Sequence, residues 1–180
     1  MDYTWRFDSP LGGITLASDG EGLTGLWFDG QKRWGAGLGS ERAEARLPVF
    51  DQAERWLGVY FSGREPDFAP PLRLRGTPFC RLVWAALQEI PHGQTATYAG
   101  IAEKVAARMG VSHMSPQAVG GAVGRNPVSL IVPCHRVVGR DGSLTGYAGG
   151  VDRKLRLLKL EGADTTGLYL PKRRETEADL

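Results

Sequence analysis

Cysteine and histidine are scarce in this 180-residue chain: there are two cysteines, at 80 and 134, and three histidines, at 92, 113 and 135. Two thiols cannot make a disulfide framework, and three imidazoles without zinc-ligand spacing imply no metal site. A dominant charge is lacking too. Twenty-two Lys and Arg against 20 Asp and Glu leave a net charge of +2, so any nucleic-acid contact must come from locally clustered cations. No 18-residue apolar run and no charged-then-apolar leader is present, so neither membrane contact nor secretion is expected and the chain reads as cytoplasmic. Hydrophobic residues make up 42%, enough for a packed core in one domain or two small ones.

Tyr3 to Phe7, Gly13 to Ser18 and Leu23 to Phe28 read as short strands, with Asp19-Gly20 as a hairpin signal between the last two. From Pro48, the apolar positions Phe50, Ala53, Leu57, Tyr60 and Phe61 recur at helical spacing up to Gly63. The proline-rich segment from Pro66 to Pro71 then marks a boundary. It divides the chain into an N-terminal α/β domain (1–72), a second domain (73–165) and a flexible charged tail (166–180) containing Lys172-Arg173-Arg174. In the second domain Thr77 can cap a helix with Pro78 at its first position and a stripe of Phe79, Leu82, Val83, Leu87 and Ile90, ended by Pro91. Cys80, on its first turn, reads as structural. A helix from about Tyr98 with apolar Ile101 and Val105, then one from Ser115-Pro116, suggest a helix-turn-helix. Gly120-Gly121 on the latter can serve close packing or close approach to another surface, and spacing alone favours packing.

What stands out is Pro133-Cys134-His135-Arg136-Val137, preceded by Asn126-Pro127 and a strand-like Ser129-Leu130-Ile131-Val132, and followed by Gly142-Ser143-Leu144-Thr145-Gly146-Tyr147-Ala148-Gly149-Gly150. A thiolate is the reactive form of cysteine, and only a few per cent of an ordinary thiol is ionised at neutral pH, so an adjacent base is the usual means of activation. For an isolated Cys-His pair, a small buried hydrophobe beside a satisfied core histidine would be the better reading.

Taken together, these segments resemble the active-site signature of the O6-alkylguanine-DNA alkyltransferases. The likeness extends upstream through Gly76-Thr77-Pro78-Phe79, Val83-Trp84, Ile90-Pro91, Gly93, Thr97-Tyr98 and Ile101-Ala102, and downstream through Arg153-Lys154 to Leu160-Glu161. It implies a small antiparallel sheet plus helix, ribonuclease-H-like, followed by a mainly α winged helix-turn-helix domain. The implied activity is irreversible, single-turnover transfer of the alkyl group from O6-alkylguanine, and from O4-alkylthymine, in double-stranded DNA to Cys134. The implied partner is alkylated duplex DNA, bound through the minor groove by a monomer without metal or cofactor.

The resemblance also implies roles. His135 would draw the thiol proton through a water, Glu161 would orient the imidazole, and Asn126 would brace the turn. The O6 edge of guanine lies within the stack, so the nucleotide must be rotated out into a pocket. There Tyr98 would donate to guanine N3, the carbonyls of Cys134 and Val137 would accept the exocyclic amine, and the Ala148 N–H would face O6. Val123, Gly146, Tyr147 and Gly149 would line the pocket, while Ser115, Gln117, Ala118, Gly120, Gly121, Arg125, Arg136 and Thr95 would face DNA. Without the resemblance, Tyr98 reads equally as a core aromatic, Glu161 as a solvated acid and Asn126 as the turn residue before Pro127.

Two departures stand out: Gln117 occupies the position where an intercalating arginine is usual, and the segment from Lys104 to Ser115 is longer than usual. Among rival readings, a DNA-binding module without chemistry would lack the nucleophile. A cysteine hydrolase would need an oxyanion hole, for which the sequence carries no signal. An alkylation-sensing regulator would need a further domain.

Overall fold

The computed structural model describes residues 1–171. The Lys172-Arg173-Arg174 cluster and most of the expected tail lie outside them. Strands β1 (Asp2–Ser9), β2 (Gly12–Ser18) and β3 (Leu23–Phe28) form an antiparallel meander in register with the sequence reading. A short strand, β4 (Arg42–Glu44), adds in parallel to β1 and gives the order β3-β2-β1-β4. It carries no hydrophobic alternation, and the sequence reading does not include it.

Helix α1 (Pro48–Phe61) follows, with Pro48 in its first turn and Phe50, Ala53, Leu57 and Tyr60 buried along one face. This i, i+3, i+7, i+10 spacing places four side chains on a stripe that packs against the sheet. Glycine at 63, with φ of 88°, lets the chain turn away.

The free edge of β3 is covered by two later segments of the chain. Leu23 exchanges backbone hydrogen bonds with Pro71 and Arg73, and Leu26 with Pro127 and Ser129, at 2.8–3.1 Å. An uncovered edge would be a template for pairing with another chain. Here it is the dock for the loop that leads to Cys134.

Helix α2 (Pro78–Gln88) is capped by the Thr77 hydroxyl, which accepts from the Cys80 N–H at 3.1 Å. Its buried face is rotated from the expected stripe. Cys80, Val83, Trp84 and Leu87 are buried while Phe79 and Leu82 are only half-buried, because the Trp84 indole turns inward to donate to the Ala122 carbonyl at 2.9 Å. Gly76 makes room for that ring: a Cβ there would stand 2.4 Å from it.

After β5 (Ala96–Thr97), α3 (Tyr98–Met109) and α4 (Pro116–Gly124) form the helix-turn-helix. The long segment after Lys104 is resolved into extra helix, ended by Gly110 in the left-handed conformation, and a turn. Ser115 caps α4 by accepting from the N–H groups of Gln117 and Ala118. A 3₁₀ turn (Cys134–Arg136), strand β6 (Val137–Val138), paired in parallel with β5, and α5 (Val151–Leu160) complete the described chain. One apolar cluster joins both halves, from Phe28, Phe50 and Leu57 to Val83, Ile101 and Val137. No helix of the described residues is long and apolar enough to cross a membrane.

Candidate active site

Asn126, just beyond the end of α4, organises the loop that leads to the nucleophile. Its amide Nδ2 donates to the Val132 carbonyl at 2.7 Å while its Oδ1 accepts from the Val128 N–H at 3.0 Å. The segment Ser129–Val132 is therefore a tight turn and not the expected strand, and Leu130 takes a φ of 71°. The apolar pattern that suggested a strand is met by burial of Val128, Leu130 and Val132 in the core instead. This loop delivers Cys134 to the start of the 3₁₀ turn.

Cys134 is buried. Burial pushes its thiol up, opposed by a hydrogen bond from Asn126 and by the positive charge of Lys154. His135 is fully enclosed, and its Nε2 lies 2.6 Å from Glu161 Oε1. The carboxylate is flanked by donors: Tyr60 Oη at 2.8 Å, and Arg136 through Nε at 2.9 Å and Nη2 at 3.0 Å. Burial alone would raise the Glu161 pKa, but His135 and Arg136 hold it well below the usual carboxylate range. An ionised Glu161 takes the Nε2–H tautomer of His135 and leaves Nδ1 unprotonated. That Nδ1 is buried and has no hydrogen-bond partner among the described residues. Burial also lowers the His135 pKa, against the pull of Glu161, which keeps the imidazole neutral and able to accept a proton.

Arg136, expected at the DNA face, is instead an internal residue. Besides its two bonds to Glu161, its Nη1 donates to the Ile90 carbonyl at 2.7 Å, and a guanidinium so occupied is unavailable to phosphate. A bidentate carboxylate clamp also fixes the fork in one plane.

Tyr98 opens α3 and donates its hydroxyl to the Thr145 carbonyl at 3.0 Å. Burial pushes its pKa up to about 12, so it stays protonated and able to donate at neutral pH. The ammonium of Lys154 reaches the same carbonyl oxygen, at 3.1 Å, and sits 6.0 Å from the Tyr98 ring centre. Lys154 is fully buried without a carboxylate partner among the described residues, and desolvation lowers its pKa to about 8.

Around this group Val123 and Val137 are buried, and Tyr147 is buried with a hydroxyl that has no partner among the described residues. The Cys134 carbonyl already accepts from the Val137 N–H and keeps one lone pair free. Gly146 adopts a φ of 74°, where a Cβ would meet the Tyr98 hydroxyl at 3.3 Å. Gly149 packs under the Tyr147 ring. The Ala148 carbonyl is held by the Lys32 N–H at 3.1 Å.

Thr95, Gln117, Ala118, Gly121 and Arg125 are exposed, and Ser115 and Gly120 are half-buried. Arg108, in the last turn of α3, is paired with Glu89. Packing does not account for Gly120-Gly121. The nearest atoms to an added Cβ are the Tyr98 ring at 3.8 Å and Arg125 at 3.9 Å, both ordinary contacts.

Sequence reasoning missed Tyr60 and Lys154. Tyr60 sits on the apolar stripe of α1, where only the fold reveals a polar partner. Lys154 lies among the alternating charges of α5, and its inward direction has no local signature. Among the described residues no group of three or more His, Cys, Asp or Glu could hold a metal ion.

A thiol, an unprotonated imidazole nitrogen with a buried acid behind it, and a helix-turn-helix in the same domain fit the class of nucleic-acid-binding proteins with covalent cysteine chemistry. Comparison with known proteins narrows it. A family profile described as 6-O-methylguanine DNA methyltransferase, DNA binding domain, matches residues 78–163, and one described as 6-O-methylguanine DNA methyltransferase, ribonuclease-like domain, matches residues 3–74. The methylated-DNA--protein-cysteine methyltransferase of Methanosarcina acetivorans is 44% identical over 162 residues, covering 89% of this chain and 99% of that protein. That of Mycolicibacterium paratuberculosis is 45% identical over 155 residues, covering 86% and 88%. The crystal structure of Mycobacterium tuberculosis OGT in complex with DNA superimposes with a TM-score of 0.77 and 39% identity, covering 92% of this chain and 98% of that one. The chain therefore belongs to the 6-O-methylguanine DNA methyltransferase family.

Proposed function

We propose that Cys134 is the acceptor in a direct-reversal DNA repair reaction, taking the alkyl group from O6-alkylguanine, and from O4-alkylthymine, in duplex DNA. The activity is that of a methylated-DNA--protein-cysteine methyltransferase. The observation that carries the assignment of roles is the orphaned His135 Nδ1, kept unprotonated by the Nε2–Glu161 contact of 2.6 Å.

The reaction is an in-line displacement. The Sγ–carbon bond forms as the carbon–O6 bond breaks, the thiol proton passes to His135 Nδ1, directly or through a water, and the departing guanine takes a proton at N3 from Tyr98. Proton donation to a developing anion typically contributes roughly 10²–10⁴-fold. When Tyr98 turns to the base, Lys154 keeps the Thr145 carbonyl satisfied. The Ala148 N–H faces O6, and the Cys134 and Val137 carbonyls face the exocyclic amine.

The nucleotide reaches this pocket by flipping from a duplex bound through its minor groove by α4, with Thr95, Ser115, Ala118, Gly120, Gly121 and Arg125 along the interface. Gln117, exposed in the first turn of α4, fills the space left behind with a hydrogen-bonding side chain instead of a cation. The thioether has no resolving thiol, since the other cysteine, Cys80, is buried in α2, so each molecule acts once.

The test is transfer from duplex DNA carrying isotopically labelled O6-methylguanine, with peptide mapping of the product. Label on the peptide containing Cys134, absent in Cys134→Ser, supports the reading. Label on another residue, or none, contradicts it.

A further inference from the structure

Tyr147, Ala148 and Gly149 wall the proposed base pocket, and they also form one side of an open cleft of about 520 Å³. The other side comes from the loop after β3, through Lys32 and Arg33. The Lys32 N–H to Ala148 carbonyl bond at 3.1 Å ties the two sides together. Arg33 is held at a φ of 58°, in the left-handed region that a non-glycine residue seldom adopts.

Around the sheet, Arg6, Arg73 and Arg75 are each paired with an aspartate. Lys32 and Arg33 have no side-chain ion pair or hydrogen bond among the described residues, and no acidic side chain lines the cleft. Unpaired cations facing an open, glycine-walled space favour an anion that can enter it.

A methyl group on O6 ends inside the base pocket. Tyr147, Ala148 and Gly149 belong to the lining of both the proposed base pocket and the cleft, so a longer substituent that passes them enters the cleft. Resting on the reading that Cys134 accepts O6 substituents, we infer that this cleft receives the outer end of long O6 substituents and selects those ending in a carboxylate, the O6-carboxyalkylguanines. The covalent step is unchanged. The whole carboxyalkyl group ends on Sγ as a thioether, the thiol proton goes to His135, and guanine leaves with the Tyr98 proton at N3.

The test compares single-turnover transfer from O6-(3-carboxypropyl)guanine with transfer from its neutral carbamoyl counterpart, each as the free base and within one duplex sequence. The carboxylate is expected to react about fivefold faster in both formats at low salt, an advantage that fades at about 0.5 M salt. In the double variant Lys32→Gln/Arg33→Asn, with Asn chosen because it tolerates a positive φ, the ratio should fall to about one. A ratio of one in the unsubstituted protein overturns the inference, as does a preference that survives the double substitution. A ratio that changes only in the duplex also overturns it, because the cations would then be serving DNA phosphates. Failure of every probe, O6-methylguanine included, would instead sink the assignment of Cys134.

Discussion

The Tyr60 hydroxyl donates to Glu161 Oε1 at 2.8 Å, across 101 residues of sequence. This bond joins the helix of the ribonuclease-like domain to the acid behind the His135 imidazole. It makes that domain part of the site, since Glu161 must accept from His135, Arg136 and Tyr60 together to remain ionised in a closed environment.

Tyr60→Phe removes one of these donors while keeping the ring stacked on Trp56, with centroids 5.1 Å apart. A hydrogen bond to a charged group is worth about 1.5–3 kcal/mol, so denaturant unfolding should show a loss of that order. Single-turnover transfer should slow several-fold with DNA affinity unchanged. An unaltered rate would remove Tyr60 from the account.

Lys154 gives a pH signature. Its pKa of about 8 in the folded chain lies below the ordinary lysine value of 10.5, so the unfolded chain binds more protons between these two values. Stability should therefore be lowest below pH 8 and rise from about pH 8 towards 10.5. Lys154→Met should flatten this rise and raise stability at about pH 7. It should also slow transfer, because the thiolate loses a nearby cation. Unfolding curves and transfer rates from about pH 6 to 10 check both halves, and a Lys154→Met variant that transfers faster at neutral pH would contradict the second.

Gly121 is exposed inside α4 with nothing near an added Cβ except Arg125. Ala has the higher helix propensity, so Gly121→Ala should stabilise the fold by about 0.5–1 kcal/mol. The same methyl stands where the duplex would approach. Affinity for duplex DNA should drop while reaction with the free base holds. Unchanged DNA affinity would return Gly121 to a purely structural role.

Much of this is legible in the residues. Caps such as Thr77 and Ser115, the Asp19-Gly20 hairpin and the periodicity of α1 are local signals, and each element forms where its signal lies. The Ser129–Val132 turn reads as a strand because alternation reports burial and not extension, and one side chain, Asn126, bends the backbone. Arg136 is misplaced for a related reason. A cation beside a nucleophile looks the same in sequence whether it faces phosphate or a buried carboxylate, and only the arrival of Glu161 from the end of α5 decides. Tyr60 and Lys154 likewise depend on contacts between elements far apart in the chain.

The central claim is that Cys134 accepts one alkyl group and keeps it. Intact-protein mass and unmodified guanine restored within the DNA, measured together after incubation with excess duplex O6-methylguanine DNA, test it most directly. The account predicts that every active molecule gains the mass of one CH₂, that one lesion is repaired per protein molecule, and that the reaction then stops. Repair of several lesions per molecule, or repair without a gain in mass, would contradict it.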